Sequence, residues 1–175
     1  MIALRHTADL PPDVLAAVRR LLDASFEGRF TVDDWDHALG GLHALVWDDG
    51  ELVGHGALVQ RRLLHRGRAL RAGYVEGVAV RADRRRSGIA SELMSHLEGA
   101  AQGAYEVAAL SASDPGARLY LARGWQRWRG HTSTMTPSGI VSTPQEDGSV
   151  FVLPITAELE LEGEITSDWR DGDVW

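Results

Sequence analysis

The chain has 175 residues, a formal net charge of −7, 44% hydrophobic residues and 25% charged residues. These values are typical of a globular protein with a core of its own, and we expect one domain over residues 1–175. The sequence contains no cysteine, which excludes disulfides, thiolate catalysis and cysteine-ligated metals. It shows no signal-peptide pattern and no apolar run near the roughly 18 residues of a membrane span, so we expect a cytoplasmic protein without a membrane partner.

The charges are distributed unevenly along the chain. All 18 basic residues are arginine, and half of them cluster between Arg61 and Arg86. The acidic residues gather at 33–36, at 146–147 and in the C-terminal quarter. A basic patch on an acidic protein predicts one anionic and one cationic ligand, and the negative balance argues against nucleic-acid binding.

The first elements follow from apolar spacing and capping residues. Helical spacing predicts a helix over roughly residues 12–24, and Thr31 with Asp34 resembles a capping box for a short second helix that ends near residue 39. Three strands are then predicted as an antiparallel meander, with turns between them. The strands are residues 42–47, 52–64 and 70–80.

The second half of the chain predicts a crossover followed by shorter elements. A helix to about residue 101 leads to a strand at 105–110, which a right-handed crossover places parallel to the strand at 70–80. A short helix at 114–121, weaker strands at 125–128, 132–135 and 149–153, and a loop at 137–148 follow. The fold class predicted is α/β, with a mixed, mostly antiparallel sheet flanked by helices.

The turn after the strand at 70–80 is the strongest functional signal. Four arginines lie within residues 81–86, Gly88 follows, and an amphipathic segment then begins. A strand, a basic turn and a helix N-terminus form a receptor for phosphates. The turn is neither a P-loop nor a G-x-G-x-x-G motif, but residues 85–90 match Arg/Gln-x-x-Gly-x-Gly/Ala; the alternative is a solvated arginine-rich loop.

With this turn in this element order, and with the segment at 117–125 (ARLYLARGW), the chain resembles the GNAT acyltransferase superfamily. Longer strings at 34–45, 59–63, 71–81 and 168–175 are similar to the aminoglycoside 2′-N-acetyltransferases of actinobacteria. The resemblance implies a splayed parallel strand pair in the sheet, acetyl-CoA as co-substrate, a cationic aminoglycoside as acceptor, and a homodimer.

The resemblance also implies the residues that bind acetyl-CoA. The pantetheine arm would pair with the backbone of the strand ending at residue 80, and the pyrophosphate would contact the basic turn. Gly88 would let the backbone approach the phosphates closely. The residues expected to bind the coenzyme are Val78, Ala79, Val80, Arg85, Arg86, Ser87, Gly88, Ile89, Ala90 and Ser113.

Three residues are predicted to carry the chemistry. Glu76 is a carboxylate in an otherwise apolar strand, where a raised pKa would suit a general base or an ammonium anchor; a surface residue or a partner for an arginine is the alternative. The resemblance makes the N–H of Val78 the donor to the developing oxyanion. It makes Tyr120 the acid that protonates the coenzyme thiolate, while the alternative is a core aromatic.

The acceptor site implied by the resemblance is acidic, as a polycationic sugar requires. Each acid could instead simply be solvated. Two departures from the family pattern, Arg29 and Glu146, are expected to affect drug preference. The expected ligands are Asp34, Glu76, Ser111, Glu146 or Asp147, Asp173 and the terminal carboxylate of Trp175.

Other chemistries have little support in the sequence. The seven histidines form no metal-spaced pair, and His43, His55 and His65 alternate with apolar residues, as structural histidines do. We therefore expect no metal and direct transfer in a ternary complex. Two other functions remain open: acetylation of a cell-wall amino sugar or another small amine, and a non-catalytic CoA-binding module.

Overall fold

The computed structural model describes the backbone of residues 1–175 and all side chains except those of residues 114 and 115. Its helices are α1 (Pro12–Ser25), α2 (Val32–Ala38), α3 (Ile89–Ala104) and α4 (Asp114–Ala122). Its strands are β1 (Ile2–His6), β2 (Leu42–Asp48), β3 (Glu51–His65), β4 (Arg68–Val80), β5 (Val107–Ser111), β6 (Gln126–Arg127), β7 (Thr132–Thr136), β8 (Gly139–Ser142), β9 (Val150–Pro154) and β10 (Ile165–Ser167).

The chain divides into two compact units, and β3 and β4 contribute to both. The first unit contains residues 1–59 and 75–100, and the second contains residues 60–74 and 101–175. None of the helices in the described part of the chain is long and apolar enough to cross a membrane.

In the first unit, the apolar face of α1 packs against the β2–β3 hairpin. β1 pairs antiparallel with β2, and β2 pairs antiparallel with β3. Val18, Leu21 and Leu22 of α1 are buried in one cluster with Leu45 and Leu52 of the hairpin. The helical spacing of these leucines therefore predicted both the helix and its buried face.

In the second unit the strand order is β6-β9-β5-β4-β3-β10-β7-β8. β5 runs parallel to β4, with Ala72–Tyr74 opposite Val107–Ala109, which confirms the predicted parallel pairing. β7 and β10 form a second parallel pair. The predicted class, a mixed sheet with parallel and antiparallel strands flanked by helices, is confirmed.

One predicted loop contains regular structure. Residues 137–148 include strand β8, antiparallel to β7, and a 3₁₀ turn at Pro144–Glu146. Gly139 has φ +127°, which permits a tight reversal before two β-forming residues, Ile140 and Val141. β1 and β10 were not predicted; β10 has only three residues, and its pairing with β3 and β7 comes from distant parts of the chain.

Candidate acetyltransferase site

The basic turn is only partly available to an anion, because two of its four arginines are already paired. Arg81 contacts Asp83 at 2.7 Å and Glu51 at 2.5 Å. Arg84 contacts Asp48 at 2.9 Å and also reaches Asp83. Glu51 and Asp48 lie at the end of the β2–β3 hairpin, so these ion pairs attach the turn to the sheet.

The other two arginines lie in the exposed part of the turn. Neither Arg85 nor Arg86 forms an ion pair within the described part of the chain, and Arg85 donates from Nε to the Val80 carbonyl at 3.2 Å. Arg86 and Gly88 have left-handed backbones, with φ +61° and +89°. Two unneutralised guanidinium groups on this exposed surface are suited to bind an anion, and the phosphate-binding role that the sequence predicts for the turn stays a prediction.

The N-terminus of α3 completes this surface. The first hydrogen bond of the helix runs from the Glu92 amide to the Gly88 carbonyl at 3.0 Å. The amides of Ile89 and Ala90 therefore precede the hydrogen-bonded turns of the helix, and the helix dipole adds positive potential there.

Two glycines of β3 fix the position of α3. A Cβ at Gly54 would lie 2.7 Å from Ile89 Cγ2 and 3.2 Å from Leu93 Cδ1. A Cβ at Gly56 would lie 3.0 Å from Leu97 Cδ1. The side chains of α3 thus pack directly against the backbone of β3, and this close contact fixes the position of the helix N-terminus relative to the strand.

The predicted base and oxyanion donor flank a left-handed glycine in β4. Glu76 and Val78 are half-buried, and Gly77 between them has φ +55°. A residue with a side chain seldom adopts this backbone. The left-handed backbone at Gly77 changes the direction of the neighbouring peptide groups.

Asp34, by contrast, has a structural role within the first unit. Its Oδ2 accepts the Thr31 amide at 2.7 Å, while the Asp34 amide donates to Thr31 Oγ1 at 3.1 Å. The predicted capping box is therefore present. The carboxylate is half-exposed, so its role toward a ligand stays a prediction. Arg29 is exposed and lies 3.8 Å from Glu27.

In the second unit, Tyr120 of α4 is buried between aromatic rings. It is 8% exposed, with ring centroids 5.9 Å from Trp125 and 6.1 Å from Phe151. Burial raises the pKa of Tyr120 to about 12. The phenol therefore keeps its proton at neutral pH, which a proton donor requires.

Ser111 and Glu146 are joined through a serine that the sequence did not single out. Ser111 Oγ donates to Ser149 Oγ at 3.1 Å, and Ser149 Oγ lies 2.9 Å from Glu146 Oε2. Burial raises the pKa of Glu146, and the neighbouring Asp173 carboxylate raises it further. Ser111, Glu146 and Asp173 are thus grouped within this unit.

The structure separates the two acids that the sequence offered as alternatives. Both oxygens of Asp147 have protein partners: Oδ1 accepts the Thr132 amide at 2.8 Å, and Oδ2 lies 3.0 Å from His131 Nδ1. The hydrogen bond to His131 lowers the pKa of Asp147. A cavity of about 320 Å³ lies beside it, lined by Ala112, Ser113, Arg127, Asp147, Gly148 and Ser149. Glu146 is therefore the better candidate for contacting the acceptor, whereas Asp147 lines the cavity and is held by Thr132 and His131.

The C-terminal segment is held by a buried arginine. Arg61 is 4% exposed; it donates from Nε to Asp168 Oδ1 at 2.7 Å and from Nη2 to the Val174 carbonyl at 2.9 Å. The buried Trp175 indole donates to Thr143 Oγ1 at 3.0 Å. These contacts place Asp173 in the unit that holds Glu146; the role predicted for the Trp175 carboxylate stays a prediction.

Sequence reasoning missed Ser149 and Arg61, and it treated the histidines as purely structural. The only sequence signal for Arg61 was its place in the string at 59–63. Among the described residues no group of three or more potential ligands is arranged to hold a metal ion.

Comparisons with known proteins agree with this architecture. Residues 9–128 match the family described as "Acetyltransferase (GNAT) domain". The "Aminoglycoside 2'-N-acetyltransferase" of Mycolicibacterium fortuitum is 50% identical over 98% of this chain and 90% of its own length. An acyl-CoA N-acyltransferase from Pseudomonas aeruginosa has the same fold, with a TM-score of 0.62 at 19% identity over 87% of this chain and 97% of that one.

A GNAT family acetyltransferase from Brucella melitensis, solved in complex with acetyl-CoA, matches with a TM-score of 0.59 at 17% identity over 94% of both chains. At this identity the match concerns the fold. The family match and the 50% identical relative extend over most of the chain. The chain belongs to the GNAT acetyltransferases.

Proposed function

We propose that this protein transfers the acetyl group of acetyl-CoA directly to the 2′-amino group of aminoglycosides. The observation that carries the proposal is the 50% identity to an aminoglycoside 2′-N-acetyltransferase over 98% of the chain. The acidic group in the second unit supports a polycationic acceptor.

The first unit is proposed to bind acetyl-CoA, which supplies a thioester. Arg85, Arg86, Ser87 and the amides up to Ala90 are proposed to contact its phosphates. Ser113 stays a predicted coenzyme-binding residue. Gly88 fits this role, because its left-handed backbone lets successive amides face one anion. Val78, Ala79 and Val80 offer backbone groups to the pantetheine arm.

Three groups are proposed to carry the transfer. Glu76, directly or through a water, accepts a proton from the substrate ammonium so that the amine can attack. The Val78 amide donates to the acetyl oxygen as negative charge develops there. The C–N bond forms, the C–S bond breaks, and Tyr120 gives its proton to the leaving sulfur. The nitrogen loses its second proton to solvent as the amide forms; Tyr120 then regains a proton from solvent, and Glu76 releases the proton that it accepted.

The acceptor contacts are proposed to come from Glu146, Asp173 and Ser111, with Asp34, Glu76 and the Trp175 carboxylate as further anions. Several carboxylates are needed because an aminoglycoside carries several ammonium groups. Acetylation removes one positive charge, and with it part of the drug's attraction for RNA.

The test is CoA release across an aminoglycoside panel. We expect turnover with 2′-amino compounds of the gentamicin and tobramycin type and none with 2′-hydroxyl analogues. A higher kcat/KM for a cell-wall amino sugar would contradict the proposed acceptor. Failure with every amine, with CoA still bound, would contradict an enzymatic role.

Direct transfer has its own test. Incubation with acetyl-CoA alone should leave the protein mass unchanged, whereas a 42 Da adduct (one acetyl group replacing one proton) would contradict the ternary complex. Glu76→Gln should abolish turnover while CoA binding persists. The proposed homodimer is tested by light scattering coupled to gel filtration.

A further inference from the structure

Two buried histidines connect β2, β3 and β4 in the first unit. His43 and His55 are both fully buried, and His43 Nδ1 lies 2.9 Å from His55 Nε2. At one end, His43 Nε2 lies 2.7 Å from Thr7 Oγ1. At the other end, His55 Nδ1 lies 2.8 Å from the Gly77 carbonyl oxygen. We call these four residues the histidine chain.

The partners fix the direction of every hydrogen bond in the histidine chain. A carbonyl oxygen only accepts, so His55 Nδ1 carries a proton and donates to Gly77. Burial lowers the pKa of His55 to about 3 and that of His43 to about 4, so both rings are neutral. His55 Nε2 therefore accepts from His43 Nδ1, and His43 Nε2 accepts from the Thr7 hydroxyl, which lies 2.7 Å from this nitrogen and 3.2 Å from its other acceptor, the Gly41 carbonyl oxygen.

Thr7 in turn accepts the Gly40 amide at 2.9 Å. Every donor in the series thus points toward Gly77. Hydrogen bonds aligned in this way polarise one another, by roughly 10–30% per bond. The Gly77 carbonyl receives the donor at the end of the series.

This carbonyl belongs to the peptide group whose N–H is that of Val78. No peptide bond in the chain is cis, so the Gly77 C=O and the Val78 N–H point in opposite directions. The His55 ring also limits movement of Gly77, since a Cβ there would lie 3.6 Å from His55 Nδ1 and 3.4 Å from Leu22 Cδ2. The Val78 N–H is therefore directed away from His55 and held there.

We propose that His55, supported by His43 and Thr7, is a positioning residue that fixes and polarises the Gly77–Val78 peptide for its role as oxyanion donor. A hydrogen bond to the carbonyl of a peptide makes its N–H a stronger donor. A preorganised donor is more effective because it needs no reorganisation during the reaction. The inference rests on the proposed function, since Val78 must face the acetyl oxygen.

The experiment compares two substitutions at His55 with a matched control. His55→Leu removes the donor to Gly77, whereas His55→Asn keeps an amide N–H near the position of Nδ1. His65→Leu is the control in the second unit: His65 is also buried, and its Nδ1 lies 2.8 Å from the Glu164 carbonyl oxygen. The readouts are kcat, the KM for acetyl-CoA, and the infrared carbonyl band of bound acetyl-CoA labelled with ¹³C at the carbonyl.

We expect His55→Leu to lower kcat about tenfold, less than the roughly 100- to 1000-fold effect of deleting an oxyanion donor. The KM for acetyl-CoA should stay within about twofold. The carbonyl band, shifted to lower frequency in the wild type, should return toward the frequency of free acetyl-CoA. His55→Asn should recover most of both effects, and His65→Leu should alter neither.

The inference is overturned if His55→Leu leaves kcat and the band unchanged, or if His65→Leu lowers kcat equally. It is also overturned if the wild type shows no band shift. If His55→Leu does not fold, Thr7→Val decides: it should lower kcat about threefold with a smaller band shift, and unchanged values contradict the inference. The infrared measurement needs no aminoglycoside, so a failure of the proposed acceptor is seen separately in the CoA-release panel.

Discussion

Acidification from pH 7.5 to pH 5.5 should cost this fold about 3 kcal/mol of stability, and the buried His43 and His55 account for the loss. Burial lowers the pKa of His43 to about 4 and that of His55 to about 3, while both start from 6.5 in the unfolded chain. Between these values the unfolded chain binds protons that the folded protein excludes. Stability therefore rises with pH in this window and is lost as pH falls below 6.5.

The magnitude follows from the proton count. Each excluded proton contributes about 1.4 kcal/mol per pH unit once the pH lies well below 6.5. Two rings at pH 5.5 give about 3 kcal/mol, a large share of the roughly 5–15 kcal/mol that stabilises a domain. The carboxyls of Asp83, Glu106 and Asp147, whose pKa values are lowered by hydrogen bonds, contribute only at lower pH.

The assay is urea unfolding followed by tryptophan fluorescence at pH 7.5, 6.5 and 5.5. The double variant His43→Phe/His55→Leu should be less stable at pH 7.5 but should lose most of the pH dependence. A matched control, His131→Gln, removes an exposed ring whose pKa is raised by its hydrogen bond to Asp147. Because that ring opposes the loss of stability on acidification, the control should keep the loss or slightly increase it. An equal free energy of unfolding at pH 7.5 and 5.5 in the wild type, or an unchanged slope in the double variant, would refute the reasoning.

Three further predictions concern the site. Gly88→Ala should raise the Kd for CoA and lower the free energy of unfolding by about 1 kcal/mol, because φ of Gly88 is +89°. Gly99→Ala, in the open interior of α3, should instead raise the free energy of unfolding by roughly 0.5–1 kcal/mol. Titration calorimetry measures the Kd of each variant, and thermal unfolding measures its stability. Tyr120→Phe should lower kcat about 100-fold or more with little change in melting temperature; a full rate would contradict its role as acid. Arg61→Met should lower the free energy of unfolding by roughly 2–4 kcal/mol and raise the KM for aminoglycoside more than the KM for acetyl-CoA. Asp168→Asn, which keeps an acceptor for Arg61, should have the smaller effect on both quantities. Equal changes in the two KM values would count against a role of the C-terminal segment in acceptor binding.

Helical spacing and capping patterns correctly predicted the elements whose structure is set by residues close together in the sequence. The leucine spacing of α1 and the Thr31–Asp34 capping box needed no distant partner, and both are present. The start of α3 directly after Gly88 was likewise expected from the motif. These are the features for which intrinsic preference and tertiary packing agree.

Long-range contacts decided the rest. Four arginines in the basic turn looked equivalent in sequence, yet Asp48 and Glu51 of the hairpin neutralise two of them and leave Arg85 and Arg86. Glu146 and Asp147 were adjacent alternatives, and Thr132 of β7 engages Asp147. In both cases the partner lies 15 or more positions away, beyond the range of any local pattern.

The histidine chain depends on one irregularity in the β2–β3 hairpin. From the turn, Trp47 pairs with Leu52, and an uninterrupted register would place Ala44 opposite His55. Because side chains alternate between faces, His43 and His55 would then lie on opposite faces of the hairpin. The structure instead pairs Val46 with Gly54 and Leu45 with His55, since Val53 forms a bulge. Both rings consequently lie on one face of the hairpin and contact each other. The histidine chain therefore depends on the bulge at Val53, a residue whose side chain forms none of its hydrogen bonds.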